Sequence, residues 1–405
     1  MKSLWSSYLF LLLFCYSIIV KSLSTDHHHR RSSSSSSTST KIMELRHLFG
    51  RTVNIEIPDH EFPTKDEMES IDAMTGTDCQ HAWYKSCSSN NKIENGDIYL
   101  HYRSWLPPAA LPVSKESNHK IKGVVIFTHG ICSHSGHAAR INDRPLDVAL
   151  LVDTFTSKGM AVYARDQYGH GLSEGTRFYI PDWKENRDDL IEFVKLVSGT
   201  VESSVPVFLM GESYGGCLSI LTSRYFQDHP NEKPSNFDNS LILVAPAIIG
   251  ETPGFPVEQI LRYILAPLAP KWTPFFMPNP VSKDRIWSDK EVLKFYEDPR
   301  KNEMGLDAVG VPFRLGTAIN LLAALEEVRT NAIPGYNRPF CIVHGDGDVA
   351  VPMSGSKLLY NDSDTLDNDK ELHTIEGMYH GLLAEPKAEE VMTLITNFVD
   401  ARMKK

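Results

Sequence analysis

Several short stretches of the chain are apolar almost without interruption, and segments of helical period separate them. Residues 123–129 read Gly-Val-Val-Ile-Phe-Thr-His, the pattern of a strand buried on both faces. Residues 160–166, 205–210, 240–246 and 340–344 share it, and 371–375 reads as the last strand. Between them the spacing predicts a helix over about 145–158, a second helix face at Leu190, Phe193, Val194 and Val197, and a third at Cys217, Leu218, Ile220, Leu221 and Tyr225. Val391, Leu394, Ile395 and Phe398 mark a closing helix that starts near Pro386. Strands alternating with amphipathic helices predict an α/β fold whose mainly parallel sheet is covered on both faces. Ahead of it, residues 82–86 and 98–105 read as strands with Asn95-Gly96 between them, a hairpin signal, so the domain opens with an antiparallel pair. Residues 43–77 are weakly periodic and predict no element.

The alternation stops after Pro246 and resumes near Arg338. The intervening stretch holds no clear buried strand, which is the expectation for a mostly helical lid or cap inserted above the sheet. Residues 318–328 are helical in period, and Phe255, Val257, Ile260, Leu261, Ile264, Leu265, Leu268, Trp272, Phe275 and Phe276 make an apolar, proline-broken run. That run either packs onto the sheet domain or docks on a lipid surface. Both readings favour an acyl chain as the group bound.

Chemistry concentrates where strands end. Gly211-Glu212-Ser213-Tyr214-Gly215 lies between an apolar strand and a helix, the setting that makes G-x-S-x-G a nucleophile elbow. A side chain at either glycine would clash as strand folds back into helix. A serine hydroxyl is a weak nucleophile, so it needs a base and an acid to orient that base. His380, after the last strand, is the candidate base, and Asp348, in His344-Gly-Asp-Gly-Asp348, is the candidate acid. Asp346 competes with Asp348, and spacing alone leaves both open. The backbone N–H groups of Tyr214 and Ile131 are the candidate oxyanion donors. His170, flanked by glycines, reads as a residue that packs its loop, and His373 as part of a strand. No Cys/His set has zinc spacing and no phosphate loop occurs, so neither a metal nor another cofactor is expected.

Residues 1–24 differ in kind from the rest: a lysine, an apolar core too short for a comfortable span, then small residues. They suit a secretory signal peptide, with an uncleaved signal anchor as the alternative. Residues 25–41, with His27, His28, His29 and a serine run, read as a disordered spacer. Cys132, Cys217 and Cys341 sit beside apolar elements as small hydrophobes; Cys79 and Cys87 flank a strand and could pair in an oxidising compartment, against which stands the distance at which a straight strand would hold them. Asn361-Asp-Ser363 is a glycosylation sequon that matters only if the chain is secreted. The formal net charge of −10 argues against nucleic acid as a partner.

Four motifs carry a resemblance: His129-Gly-Ile-Cys-Ser-His134-Ser135-Gly136; Asp166-x-x-Gly169-His170-Gly171-x-Ser173-x-Gly175; Gly211-Glu-Ser213-Tyr-Gly-Gly216; and His344-Gly-x-x-Asp348 with His380. Together they resemble the monoacylglycerol lipase and lysophospholipase-like branch of the serine α/β-hydrolases, the serine aminopeptidase S33 type of hydrolase domain, over about residues 97–399. The resemblance implies an α/β-hydrolase core in two parts (97–247 and 338–405) around a cap (248–337), with residues 42–96 as an N-terminal extension and first hairpin strand. It implies Ser213, Asp348 and His380 as the triad, Ile131 and Tyr214 as oxyanion donors, and Asp348 over Asp346 by family spacing. It implies a carboxylic ester hydrolase acting on a lipid ester, most directly a monoacylglycerol. A lysophospholipase, a small-molecule carboxylesterase of the caffeoylshikimate esterase kind, and a non-catalytic binding protein on the same fold are the alternatives. Three departures stand out: His137-Ala138 where many members have Arg-Tyr, Glu212 and Tyr214 where His and Met are commoner, and the leader. The leader implies the secretory pathway, either the endoplasmic reticulum lumen or secretion, where the family is usually cytosolic or on lipid droplets.

Overall fold

The computed structural model describes residues 41–46, 52–57, 79–87, 97–108, 121–136, 139–252, 254–274, 279–297 and 312–404. The chain divides into two compact units, residues 1–42 with 56–61 and residues 43–55 with 62–405. Of the first unit only backbone within strands Lys41–Arg46 and Thr52–Ile57 is described. The weak periodicity of residues 43–77 did not disclose those strands. The leader, most of the spacer, Asn95-Gly96, His137-Ala138, Phe275 and Phe276 lie outside the described residues. Among the described residues, no helix is long and apolar enough to cross a membrane.

One eight-stranded sheet organises the second unit. Its strands are β1 (Cys79–Lys85), β2 (Tyr99–Trp105), β3 (Gly123–Thr128), β4 (Met160–Arg165), β5 (Val207–Glu212), β6 (Phe237–Val244), β7 (Phe340–Gly345) and β8 (Lys370–Ile375). Their spatial order is β8-β7-β6-β5-β3-β4-β2-β1. β1 pairs antiparallel with β2 and β2 with β4, as expected for an opening hairpin, and all other neighbours run parallel. Parallel strands need crossovers, and the helices that supply them cover both faces. The crossover helices are α1 (Val148–Ser157), α2 (Trp183–Ser198), α3 (Tyr214–Asp228) and α6 (Met353–Asp362); α4 (Lys290–Glu297) and α5 (Leu315–Glu327) belong to the stretch between β6 and β7, and α7 (Ala388–Arg402) follows the last strand.

The unbroken apolar runs serve two cores at once. Alternate side chains of a strand point to opposite faces, so Val124 and Ile126 of β3 join a cluster with Phe193 and Val194 of α2 and Leu218 of α3. Val125 and Phe127 join another with Leu151 and Phe155 of α1 and Ile395 of α7. Each such buried side chain stabilises the fold by about 1.5–3 kcal/mol relative to exposure. α2 is started by Asp182, whose carboxylate accepts the Lys184 N–H at 2.9 Å.

Between β6 and β7 the chain forms short helices, including Val257–Ile260, Ala266–Leu268 and Lys283–Ile286. The apolar run divides its residues between two surroundings: Leu261 and Leu265 are buried, whereas Phe255 is 84%, Tyr263 70% and Leu268 67% exposed. The insertion is fastened near His380, because the Gly381 N–H donates to the Ile286 carbonyl at 2.9 Å. The Glu385 carboxylate accepts the Ser288 hydroxyl and the N–H groups of Ser288 (2.5 Å) and Asp289 (3.2 Å).

Candidate active site

The elbow sits at the C-terminal end of β5, in the middle of the sheet, where open α/β sheets bind ligands. Ser213 takes φ 54° and ψ −121°, a conformation costly for a residue with a Cβ. Its neighbours hold it there: the Ser213 N–H donates to Val244 at 3.0 Å, and the Ser213 carbonyl accepts from Gly216 and Ala247 at 3.0 and 2.9 Å. A side chain at Gly211 would run into the Gly215 carbonyl and the Ser219 hydroxyl, and one at Gly215 into the Thr128 carbonyl. The two glycines therefore let β5 turn into α3 against the end of β3.

Asp348 follows β7 and collects four hydrogen bonds. Its Oδ1 accepts the N–H groups of Ala350 and Val351, both at 2.8 Å. Its Oδ2 accepts from His380 Nδ1 at 2.7 Å and from His344 Nε2 at 3.1 Å. The Ser356 hydroxyl completes the chain to His344 Nδ1 at 2.7 Å. Burial pushes the Asp348 pKa up, but the His380 charge and the bonds from His344, His380 and Val351 outweigh it and hold the carboxyl far below its ordinary value. Burial disfavours the His380 imidazolium, yet the charge and hydrogen bond of Asp348, with a further contribution from Glu212, raise its pKa above the usual value. With Nδ1 committed to Asp348, Nε2 is the nitrogen left to exchange a proton. Asp346 is exposed and accepts the Gly377 N–H at 2.6 Å, so the structure brings Asp348, and not Asp346, to His380.

The loop after β3 is held by a neutral histidine. His129 Nδ1 donates to the Gly130 carbonyl at 2.7 Å, and its Nε2 accepts the Gln167 N–H at 3.1 Å. Burial, then the neighbouring His170, lowers its pKa to about 3, consistent with that tautomer. Asp166 ties the same loop down by accepting the Ser135 N–H at 2.7 Å, the Leu172 N–H at 2.9 Å and His101 Nδ1 at 2.7 Å. His170 is buried and donates to the Tyr168 carbonyl at 2.8 Å, a packing role.

Two cavities meet at Ser213 and Ile131. One, of about 90 Å³, carries polar groups: Ser133, His134, Asp147, Glu212, Tyr296 and His380. The other, of about 260 Å³, also touches Tyr214 and is mostly apolar, with Leu261, Phe313, Ile319, Leu322 and Leu325 on its walls and Glu251, Thr252 and Glu258 also lining it. Asp147, Tyr296 and His344 were not singled out as site residues by sequence, and Glu212 only as a departure beside the elbow serine. The signal for His344 was its place four residues before Asp348; Asp147 and Tyr296 meet through a hydrogen bond between residues 149 positions apart, which carries no local pattern.

The cysteines do not add chemistry here. Cys132, Cys217 and Cys341 are buried, and Cys79, the first residue of β1, is not bridged to Cys87, two residues past its end. Among the described residues, only Cys341, Glu371 and His373 bring metal-ligand donor types close together, within 4.8 Å. The His373–Glu371 hydrogen bond of 2.8 Å accounts for that pair.

Sheet order, elbow and loops define an α/β-hydrolase. Residues 119–387 match the family described as serine aminopeptidase, S33, and the chain belongs to that family. It is a carboxylic ester hydrolase. Rat (Rattus norvegicus) monoglyceride lipase is 31% identical over 290 residues, 71% of this chain and 81% of that protein. Caffeoylshikimate esterase of Arabidopsis thaliana is 30% identical over 292 residues, 71% of this chain and 80% of that protein. An uncharacterized abhydrolase domain-containing protein of Dictyostelium discoideum is 27% identical over 78% of this chain, which spans 29% of its length. Among solved structures, the monoacylglycerol lipase of Paleococcus ferrophilus shares the fold with a TM-score of 0.56 and 20% identity, covering 75% of this chain and 99% of that one.

Proposed function

We propose that the protein hydrolyses a monoacylglycerol to fatty acid and glycerol through an acyl-enzyme on Ser213. The observation that carries the reading is the meeting at that serine of a larger, mostly apolar cavity and a smaller one into which Ser133, His134, Asp147, Glu212 and Tyr296 bring polar groups. An acyl chain fits walls made of Leu and Ile, and an alcohol fits walls made of hydroxyl and carboxyl groups. The alcohol belongs on the side lined by His380, because the base must return its proton to the leaving oxygen.

In this reading His380 Nε2 takes the Ser213 proton as Oγ attacks the ester carbonyl, with Asp348 fixing the imidazole and stabilising its charge. The N–H groups of Ile131 and Tyr214 receive the oxyanion. Collapse expels the alcohol, protonated by His380, and a water activated by His380 then releases the acid. The exposed Phe255, Tyr263 and Leu268, on the same short helical stretch as the cavity-lining Leu261, support docking of the insertion on a lipid surface during substrate entry. We also infer that residues 1–24 direct the chain to the secretory pathway as a cleaved signal peptide; an N-terminus at Met1 in native protein would remove the cleaved-peptide reading and leave the uncleaved anchor.

The test is fatty-acid release from a long-chain monoacylglycerol, measured beside a short soluble ester, with the Ser213→Ala variant as control. Faster turnover of the lipid, lost by a factor on the order of 10⁵ in the variant, is expected. Turnover of the short ester alone would leave the nucleophile standing and remove the lipid claim.

A further inference from the structure

The polar cavity has an unusual electrostatic composition for a pocket that must hold a leaving group. Glu212, the residue before the nucleophile, and Asp147, the residue before α1, both line it. Asp147 accepts the Tyr296 hydroxyl. Among the described residues, the Glu212 carboxyl has no hydrogen-bond partner, and no lysine or arginine lines the cavity. Burial raises the Glu212 pKa, the Asp147 charge raises it further, and His380 opposes both. The two carboxyls therefore feel each other across the space the alcohol would fill.

Resting on the lipase reading above, we propose that Glu212 and Asp147 form an acidic alcohol subsite that accepts an uncharged polyol and rejects leaving groups bearing phosphate or carboxylate. Carboxyl oxygens accept hydrogen bonds from the hydroxyls of a glycerol, and bonds to an ionised acceptor are the stronger kind. An anion placed there meets one negative neighbour at least and finds no lysine or arginine on the described lining to pair with, while the His380 imidazole is already committed to Asp348. Rejection of the wrong alcohol thus comes from a repulsive element as much as from an attractive one. The subsite separates the candidate substrates by charge: monoacylglycerol leaves as neutral glycerol, lysophosphatidate as glycerol phosphate, and an ester of a hydroxy acid such as shikimate as a carboxylate.

The experiment compares kcat/KM for matched pairs with the same acyl group, one esterified to glycerol and one to glycerol phosphate. A long-chain pair and a short-chain, water-soluble pair are both used, with wild type, Glu212→Gln and Asp147→Asn. The readout is the ratio within a pair, which cancels general losses of activity. Wild type should prefer the glycerol ester by roughly tenfold or more, and either substitution should narrow that ratio several-fold. A wild-type ratio near one in the short-chain pair would overturn the subsite, as would ratios unchanged in both variants. Preference in the short pair with no long-chain turnover would overturn the lipase reading and keep the subsite. No turnover of any ester would overturn both.

Discussion

Two carboxyl groups act on His380, and their surroundings differ in kind. Asp348 has every acceptor position occupied, by two backbone N–H groups and two imidazoles, and is held ionised. Glu212 has no hydrogen-bond partner among the described residues and is pushed towards its neutral form by burial and by Asp147. The difference teaches that proximity to the base does not define a role. A fully bonded carboxylate holds the base in one orientation, while an unbonded one is left to meet whatever occupies the pocket. The largest effect should follow from breaking the first arrangement. Asp348→Asn leaves His380 without its orienting anion and should lower kcat by roughly 10³–10⁴-fold. Asp346→Asn, at the exposed turn, should leave turnover essentially unchanged. Similar losses in both variants would remove Asp348 from its assigned place.

The same contrast between fully committed and uncommitted groups separates sheet from insertion. Phe193 of α2 is wholly buried in the core beside Val124 and Ile126, and Phe193→Ala should cost about 3–5 kcal/mol of unfolding free energy. Phe255 and Tyr263 are mostly exposed, and replacing both by serine should change stability by less than about 0.5 kcal/mol each. Chemical denaturation measures the first pair of values, and flotation with phospholipid vesicles asks what the exposed residues do instead. Undiminished vesicle binding by the double variant would end the docking idea. A smaller effect tests the acyl side: Leu322→Trp intrudes on the apolar cavity and should reduce kcat/KM for long-chain esters on the order of tenfold, sparing short ones. Equal loss on both lengths would place the acyl chain elsewhere.

How much of this was written locally can be read from particular residues. The runs at 124–127 and 207–210 are apolar throughout because both faces of each strand are buried, so strand and elbow were legible from periodicity and glycine placement. Asp348 was not separable from Asp346 by spacing within the chain, since both follow the same strand. What separates them is a hydrogen bond across 32 residues, for which family spacing served as a proxy. The alcohol pocket was the least legible part. Asp147, Glu212 and Tyr296 come from three segments that meet only once the insertion has folded over the sheet; Glu212 stood out as a departure beside the elbow serine, but nothing in the immediate neighbours of Asp147 and Tyr296 marks them. The division of the segment from Phe255 to Leu268 into inward and outward residues was likewise hidden, because short helices broken by proline carry no steady period.

The smallest expected effect sharpens the comparison of the two carboxyls most directly. In the proposed mechanism His380 must be neutral to accept the Ser213 proton, so kcat/KM should rise with pH through the free-enzyme pKa of His380. That pKa stands above the ordinary value: burial works against it, and Asp348 first, then Glu212, favour the charged ring. Taking away an anion lowers the pKa of a neighbouring base, which moves the acid limb of the profile to lower pH. Glu212→Gln should therefore shift that limb downward by roughly half a pH unit, with the plateau governed by alcohol binding rather than by the position of the limb. Asp147→Asn acts in the opposite sense, because without the Asp147 charge Glu212 ionises more readily and its anion holds the His380 proton more firmly. Opposite displacements in the two variants would identify Glu212 as a titrating neighbour of the base. A limb unmoved in both would mean that Glu212 stays neutral throughout the range in which His380 titrates, leaving Asp348 as the sole anion felt by the imidazole.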